Sequence, residues 1–135
     1  MASDYVETFR IQVLTKNHGP RLVYICAPLR GELEKNIAFV KEKAREVFQA
    51  GDIPICPHLM FPPFADPDDP VQDQAAREMG LRLVEHCQQV NVYGPVRTPG
   101  MLAEIRRAEE LDIPVKAEQP GIKKTKGRPR RGQTR

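Results

Sequence analysis

The chain has 135 residues, with 21 Lys/Arg against 18 Asp/Glu and a formal net charge of +3; that is room for one hydrophobic core and too little for two, at roughly 100–200 residues per domain. Seven of the basic residues fall in 121–135, where there is no acid, so the tail is strongly basic and the rest of the chain mildly acidic. No apolar run approaches the roughly 18 residues of a membrane span, and an odd cysteine count (Cys26, Cys56, Cys87) without a signal-like segment points to a soluble protein in the reducing cytoplasm.

In chain order, Phe9, Ile11 and Val13 alternate with Arg10, Gln12 and Leu14. This predicts a short edge strand or an arm laid on a neighbour within residues 1–20, broken at Asn17-His18-Gly19-Pro20. Leu22 to Cys26 run without a charge and stop at Ala27-Pro28, as a parallel strand buried on both faces does. A helix is predicted over about 33–50, with Leu33, Ile37, Val40, Ala44, Val47 and Phe48 as its apolar face and Gly51 where a C′ glycine belongs. Ile53 to Pro57 read as a second strand, whose prolines are tolerable at a strand start or an edge.

From His58 to Pro70 the chain is rich in proline and aspartate and is expected to be a loop, of a length that is usually functional. A helix returns over about 71–87, with Ala76, Met79, Leu83, Val84 and Cys87 on one face. Val90 to Tyr93 form a third strand, ended by Gly94-Pro95. Thr98 is a good N-cap and Pro99 a favoured first helical residue, opening a helix to about Leu111 with Ile105 and Ala108 facing in. Ile113 to Lys116 complete a fourth strand.

Three strand-to-helix steps imply right-handed crossovers and a parallel sheet. The expected fold is α/β: a single Rossmann-like (flavodoxin-like) three-layer domain over 21–117, with a four- or five-stranded, mainly parallel sheet in the order 2-1-3-4. A basic tail, 118–135, is expected to be disordered.

Ligands of open α/β sheets bind off the carboxyl ends of the strands, which directs attention to three loops. In the first, Ala27-Pro28-Leu29-Arg30-Gly31, Arg30 offers a planar fork of donors for a carboxylate or phosphate and Gly31 removes a side chain from the approach. A surface Arg on a tight turn is the plainer alternative. In the second, Thr98-Pro99-Gly100-Met101-Leu102-Ala103-Glu104, the free N–H groups of a first helical turn suit an anion. Glu104, one turn further on, has the chemistry of a nucleophile toward an electrophilic sugar carbon, or of an ordinary helix Glu paired to Arg107. In the third, His58 follows the second strand and is placed either to protonate a leaving base or to bond a substrate, or simply to be satisfied within its loop. Cys56, His58 and Cys26 match no zinc spacing. Neither a metal nor a cofactor is expected.

Taken together, Val23-Tyr24-Ile25-Cys26-Ala27-Pro28-Leu29-Arg30-Gly31 and Thr98-x-Gly100-x-x-x-Glu104 resemble the nucleoside 2-deoxyribosyltransferase-like superfamily. The pattern is closest to its small DUF4406-type members. The resemblance implies that Glu104 attacks the anomeric carbon and that the nucleobase leaves. The glycosyl-enzyme is then resolved by another base or by water, as in retaining glycosidases. It implies that Tyr24 orients the carboxylate, and that Arg30 with the Thr98–Gly100 loop and Met101 holds the sugar or a 5′-phosphate. It also implies a homo-oligomer whose pockets are completed across subunits.

The chain departs from that pattern in two places. Arg77, with Glu78 beside it, stands where the catalytic members have an Asp to assist the leaving base, and Gln88 stands where an acid usually opens the third strand. The expected function is therefore a nucleoside or nucleotide N-glycosidic bond enzyme, transferase or hydrolase. The alternative is a nucleotide-binding protein without catalysis. In the tail, Lys126-Gly127-Arg128-Pro129-Arg130-Arg131-Gly132 resembles an AT-hook. That implies DNA or RNA contact through Lys126, Arg128, Arg130 and Arg131, against the alternative of a solvated polybasic extension.

Overall fold

The computed structural model describes residues 19–28 and 33–118. The expected arm within 1–20 lies almost wholly outside the described residues, and the basic tail from 119 onward entirely so, as do residues 29–32. The described chain forms β1 (Leu22–Cys26), α1 (Leu33–Gln49), β2 (Ile53–Ile55), α2 (Pro57–Met60), α3 (Pro70–Glu85), β3 (Gln89–Tyr93), α4 (Pro99–Glu110) and β4 (Val115–Glu118). The strands make one four-stranded parallel sheet in the order β2-β1-β3-β4, as the sequence predicts. Among the described residues no helix is long and apolar enough to cross a membrane.

The alternation of side chains along β1 sorts the core into two layers. Val23, Ile25 and Ala27 pack with Val40 and Val47 of α1 and with Tyr93, whereas Tyr24 and Cys26 point the other way, among Val84, Cys87, Val90, Val92, Met101 and Ala108. Helix α1 therefore covers one face and α3 with α4 the other, which is the expected three-layer Rossmann-like domain. Fully burying an aliphatic side chain stabilises by about 1.5–3 kcal/mol; Val23, Ile25, Val40, Val84, Val90 and Val92 all reach that limit, so the sheet centre is the firmest part of the fold.

The helix ends follow from local chemistry. Gly51 has φ 94°. Its N–H bonds Phe48 O at 2.9 Å while Asp52 N–H reaches back to Val47 O at 3.1 Å, the paired bonds of a left-handed C-terminal stop. Asp69 accepts from Val71 N at 2.9 Å ahead of Pro70. Thr98 Oγ1 accepts from Met101 N at 3.2 Å ahead of Pro99.

Several boundaries differ from expectation. The second strand stops at Ile55, because Cys56 becomes the N-cap of the short helix α2 and Pro57 its first residue; the expected loop from His58 thus begins as a helical turn. The fourth strand is Val115–Glu118 rather than 113–116. Asp112 turns the chain at φ 59°, Ile113 N still bonds back to Ala108 O, and Pro114 has no N–H for the ladder. Phe48 and Met79, expected to face inward, are 52% and 54% exposed. Each sits about 100° round its helix from a buried neighbour, Val47 or Gly80. Phe39 does the packing instead, edge-on to Tyr93 with ring centroids 6.0 Å apart.

Candidate active site

Strand β1 carries two polar hydrogens to its carboxyl end on one face, because Tyr24 and Cys26 are two residues apart. Helix α4 starts at the carboxyl end of β3 and brings Glu104 over that face. The result is a carboxylate held at both oxygens: Tyr24 Oη donates to Oε2 at 2.6 Å, and Cys26 Sγ lies 3.2 Å from Oε1. The same sulfur is 3.8 Å from the Met101 carbonyl. Tyr24 and Cys26 are fully buried and Met101 almost so, while Glu104 is half-buried.

The electrostatics set each group's protonation. Burial pushes the Glu104 carboxyl above the usual carboxylate range, and the bonds from Tyr24 and Cys26 and the charge of Arg77 oppose that only in part. Burial, followed by the charge of Glu104, drives the Tyr24 phenol far up, so it remains a donor at any workable pH. The Cys26 thiol is raised in the same way, with Arg97 pulling in the other direction. Two permanent donors thus flank an acid that burial holds short of water, where its charge is least masked.

Two arginines border this group. Arg77 of α3 pairs with Asp73 at 3.0 Å, yet its guanidinium lies against the first turn of α4: a Cβ on Gly100 would sit 3.0 Å from Arg77 Nη1. A cation at a helix N-terminus is electrostatically unfavourable unless anions offset it, and Asp73 and Glu104 both do so. Arg97 precedes the cap residue Thr98. On α3, Gly80 makes room for the Tyr24–Glu104 pair, since a Cβ there would come within 3.2 Å of Tyr24 Oη and 3.8 Å of Glu104 Oε2.

The other sequence candidates are placed as follows. Ala27 is buried and Pro28 packs against Gly94, whose positive φ of 91° turns the chain after β3. His58 is 8% exposed, and its Nε2 is 2.7 Å from Ala27 O. A carbonyl only accepts, so Nε2 carries the hydrogen and Nδ1 is bare; Nδ1 is buried without a hydrogen-bond partner. Desolvation lowers the pKa of this ring despite the Ala27 bond, leaving it neutral at pH 7. Glu78 is exposed and accepts from Gln74 Nε2 at 3.0 Å; its bond is to its own helix. Gln88 accepts from Leu22 N at 2.6 Å and serves the sheet. Arg30, Gly31, Lys126, Arg128, Arg130 and Arg131 lie outside the described residues. Among the described residues no cluster of three His, Cys, Asp or Glu could hold a metal ion.

Of the residues that sequence reasoning grouped, the structure bonds Tyr24 to Glu104 and Thr98 to Met101, and sets Gly100 beside Arg77. Sequence reasoning missed Cys26, Gly80 and Arg97. The Tyr-x-Cys spacing on a strand was a usable signal for Cys26; nothing in the local sequence marks Gly80, whose role arises from α3 crossing β1.

A family model described as a domain of unknown function (DUF7768) matches residues 21–118, from the residue before β1 to the end of β4. No curated protein matches the chain.

Proposed function

We propose that this chain, which belongs to the DUF7768 family, is a nucleoside or nucleotide N-glycosidic bond enzyme of the 2-deoxyribosyltransferase-like kind, with Glu104 as its nucleophile. The observation that carries this reading is the double grip on Glu104 by Tyr24 and Cys26, which fixes a half-buried carboxylate at the carboxyl end of the central strand. A carboxylate nucleophile must be ionised, aimed and poorly hydrated. Tyr24, Cys26 and Arg77 favour its charge, and burial limits its water.

In the proposed step, a lone pair of Glu104 Oε1 forms a bond to the anomeric carbon. The carbon–nitrogen bond breaks toward the base, which takes the bond pair and a proton from solvent. Oε1 is the attacking oxygen because Oε2 is engaged by the shorter and stronger bond. Water or a second base then displaces Glu104 from the sugar. Arg77 beside Gly100, with Arg97, gives a phosphorylated substrate an anion subsite, beside the role that the resemblance gives to Arg30 and the Thr98–Gly100 loop.

A second reading, nucleotide binding without turnover, is favoured by one observation: Arg77 occupies the place of an assisting acid and Glu78 is turned to Gln74. Incubation with a panel of ribo- and deoxyribonucleosides and their 5′-phosphates, followed by chromatography for free base, separates the two. The enzyme reading expects base release by wild type, lost by orders of magnitude in Glu104→Gln while binding survives. Release that persists undiminished in Glu104→Gln overturns Glu104 as the nucleophile; absence of release across the panel leaves the binding reading.

A further inference from the structure

The proposed nucleophile has one partner to which neither the resemblance nor a general need for a carboxylate gives a role. Cys26 has a single thiol hydrogen and two acceptors within reach of its sulfur, Glu104 Oε1 at 3.2 Å and Met101 O at 3.8 Å. The contact to Met101 O is buried and the contact to Glu104 Oε1 partly so. We propose that Cys26 is a positioning residue for Glu104, holding Oε1 with its thiol hydrogen and passing that hydrogen bond to the Met101 carbonyl as Oε1 becomes bonded to the sugar.

This rests on the glycosidic reading above for its second half, and on geometry alone for its first. Thiol donors are weak. At 3.2 Å the S–H group makes the longer of the two contacts to the carboxylate, and Tyr24 at 2.6 Å the shorter. An ester oxygen is a poorer acceptor than a carboxylate oxygen, so the thiol hydrogen would lose its partner on glycosylation. Met101 O lies on the same side and takes it, so no buried donor is stranded in the intermediate. No bond to sulfur forms and the thiol stays protonated throughout. The charged and titratable groups that face Glu104 are Tyr24 and Cys26 from β1 and Arg77 from α3; Arg97 acts on Cys26.

The test is the titration of the Glu104 carboxyl by carbon-detected NMR on the full chain, without substrate, in wild type, Cys26→Ala and Cys26→Ser. Removing the donor in Cys26→Ala is expected to move the Glu104 midpoint upward, and Cys26→Ser, which restores a hydroxyl donor, to bring it back toward wild type. A purely structural role for Cys26 would leave the midpoint unmoved. An Ala variant that titrates like wild type, or a Ser variant that titrates like Ala, overturns the proposal. The kinetic counterpart is a fall in kcat for Cys26→Ala with KM unchanged, and a change confined to KM also overturns it. The expected titration without any base release would refute the glycosidic reading and the hand-over to Met101 while leaving the grip on Oε1. Base release with a Glu104 midpoint indifferent to Cys26 would refute this inference alone.

Discussion

Replacing Gly80 by Ala should sacrifice a gain that the substitution ordinarily brings. In a helix interior Gly→Ala stabilises by about 0.8–1.0 kcal/mol, and Gly80 has no positive φ that would reserve the position for glycine. The obstacle is space, because the new Cβ would stand 3.2 Å from Tyr24 Oη and 3.8 Å from Glu104 Oε2. Tyr24 is fully buried, so its oxygen can retreat only by rotating the ring away from Glu104. A side chain pushed off its rotamer costs about 0.5–1.5 kcal/mol, and a hydrogen bond to a charged group contributes about 1.5–3 kcal/mol, part of which is lost as the 2.6 Å contact lengthens. Set against the helix gain, the variant should be roughly 0–2 kcal/mol less stable than wild type. Each kcal/mol lost corresponds to a Tm fall of about 4–8 °C in a domain of this size. Urea denaturation gives the stability, and the Glu104 titration gives the site: its midpoint should rise as the Tyr24 bond weakens. A variant that is about 1 kcal/mol more stable, with Glu104 titrating as before, would falsify the claim that Gly80 is small for the sake of the Tyr24–Glu104 pair.

Four further outcomes are expected. Because burial raises the Glu104 pKa, the acid limb of kcat/KM should lie above the ordinary Glu value of about 4.3, with rate rising as the carboxylate ionises; Tyr24→Phe should move that limb higher still, and a limb at or below the ordinary value refutes the assignment. His58 has a lowered folded pKa, so the unfolded chain binds the extra proton as pH falls through the ordinary His range near about 6.5. Stability measured by urea midpoint should fall from neutral pH toward pH ~5.5, and less so in His58→Gln. Burial lifts the Cys56 and Cys87 thiols to about 11 and Cys26 higher; a disulfide reagent at pH ~7.5 should therefore react slowly with the folded protein, thiolate being the attacking form. Thr98→Ala should cost about 1 kcal/mol through loss of the helix cap, seen as a lower Tm.

The sheet order and several boundaries were legible because Gly51, Gly94-Pro95 and Thr98-Pro99 each have a backbone reason to stand where an element ends or begins, whereas Asp69-Pro70, the cap and first residue of α3, read as the end of a proline-rich loop. The short helix at Pro57–Met60 was not legible either, because a proline after a strand reads equally as a loop or as a first helical turn. Phe48 and Met79 were assigned inward on apolar character, yet the buried arcs of α1 and α3 are fixed by what the sheet presents, and Phe39 and Gly80 fill them. Tyr24 and Glu104 were found through their motif, and Thr98 through its capping chemistry. Their union with Cys26, Gly80 and Arg77 depends on α3 and α4 crossing one face of β1, a tertiary relation that no local window contains.

The bond between Tyr24 and Glu104 joins residues 80 positions apart, and that distance has a consequence for the nascent chain. The donors emerge from the ribosome with the first strand, but the acid follows only after two more strands and their helices. Contacts of such separation form late, since the loop between them must close first. Until α4 docks, Glu104 is an ordinary hydrated side chain, Tyr24 has lost its acceptor, and no fragment ending before about residue 110 can possess the site. Whatever chemistry the protein performs is thereby withheld until folding is essentially complete.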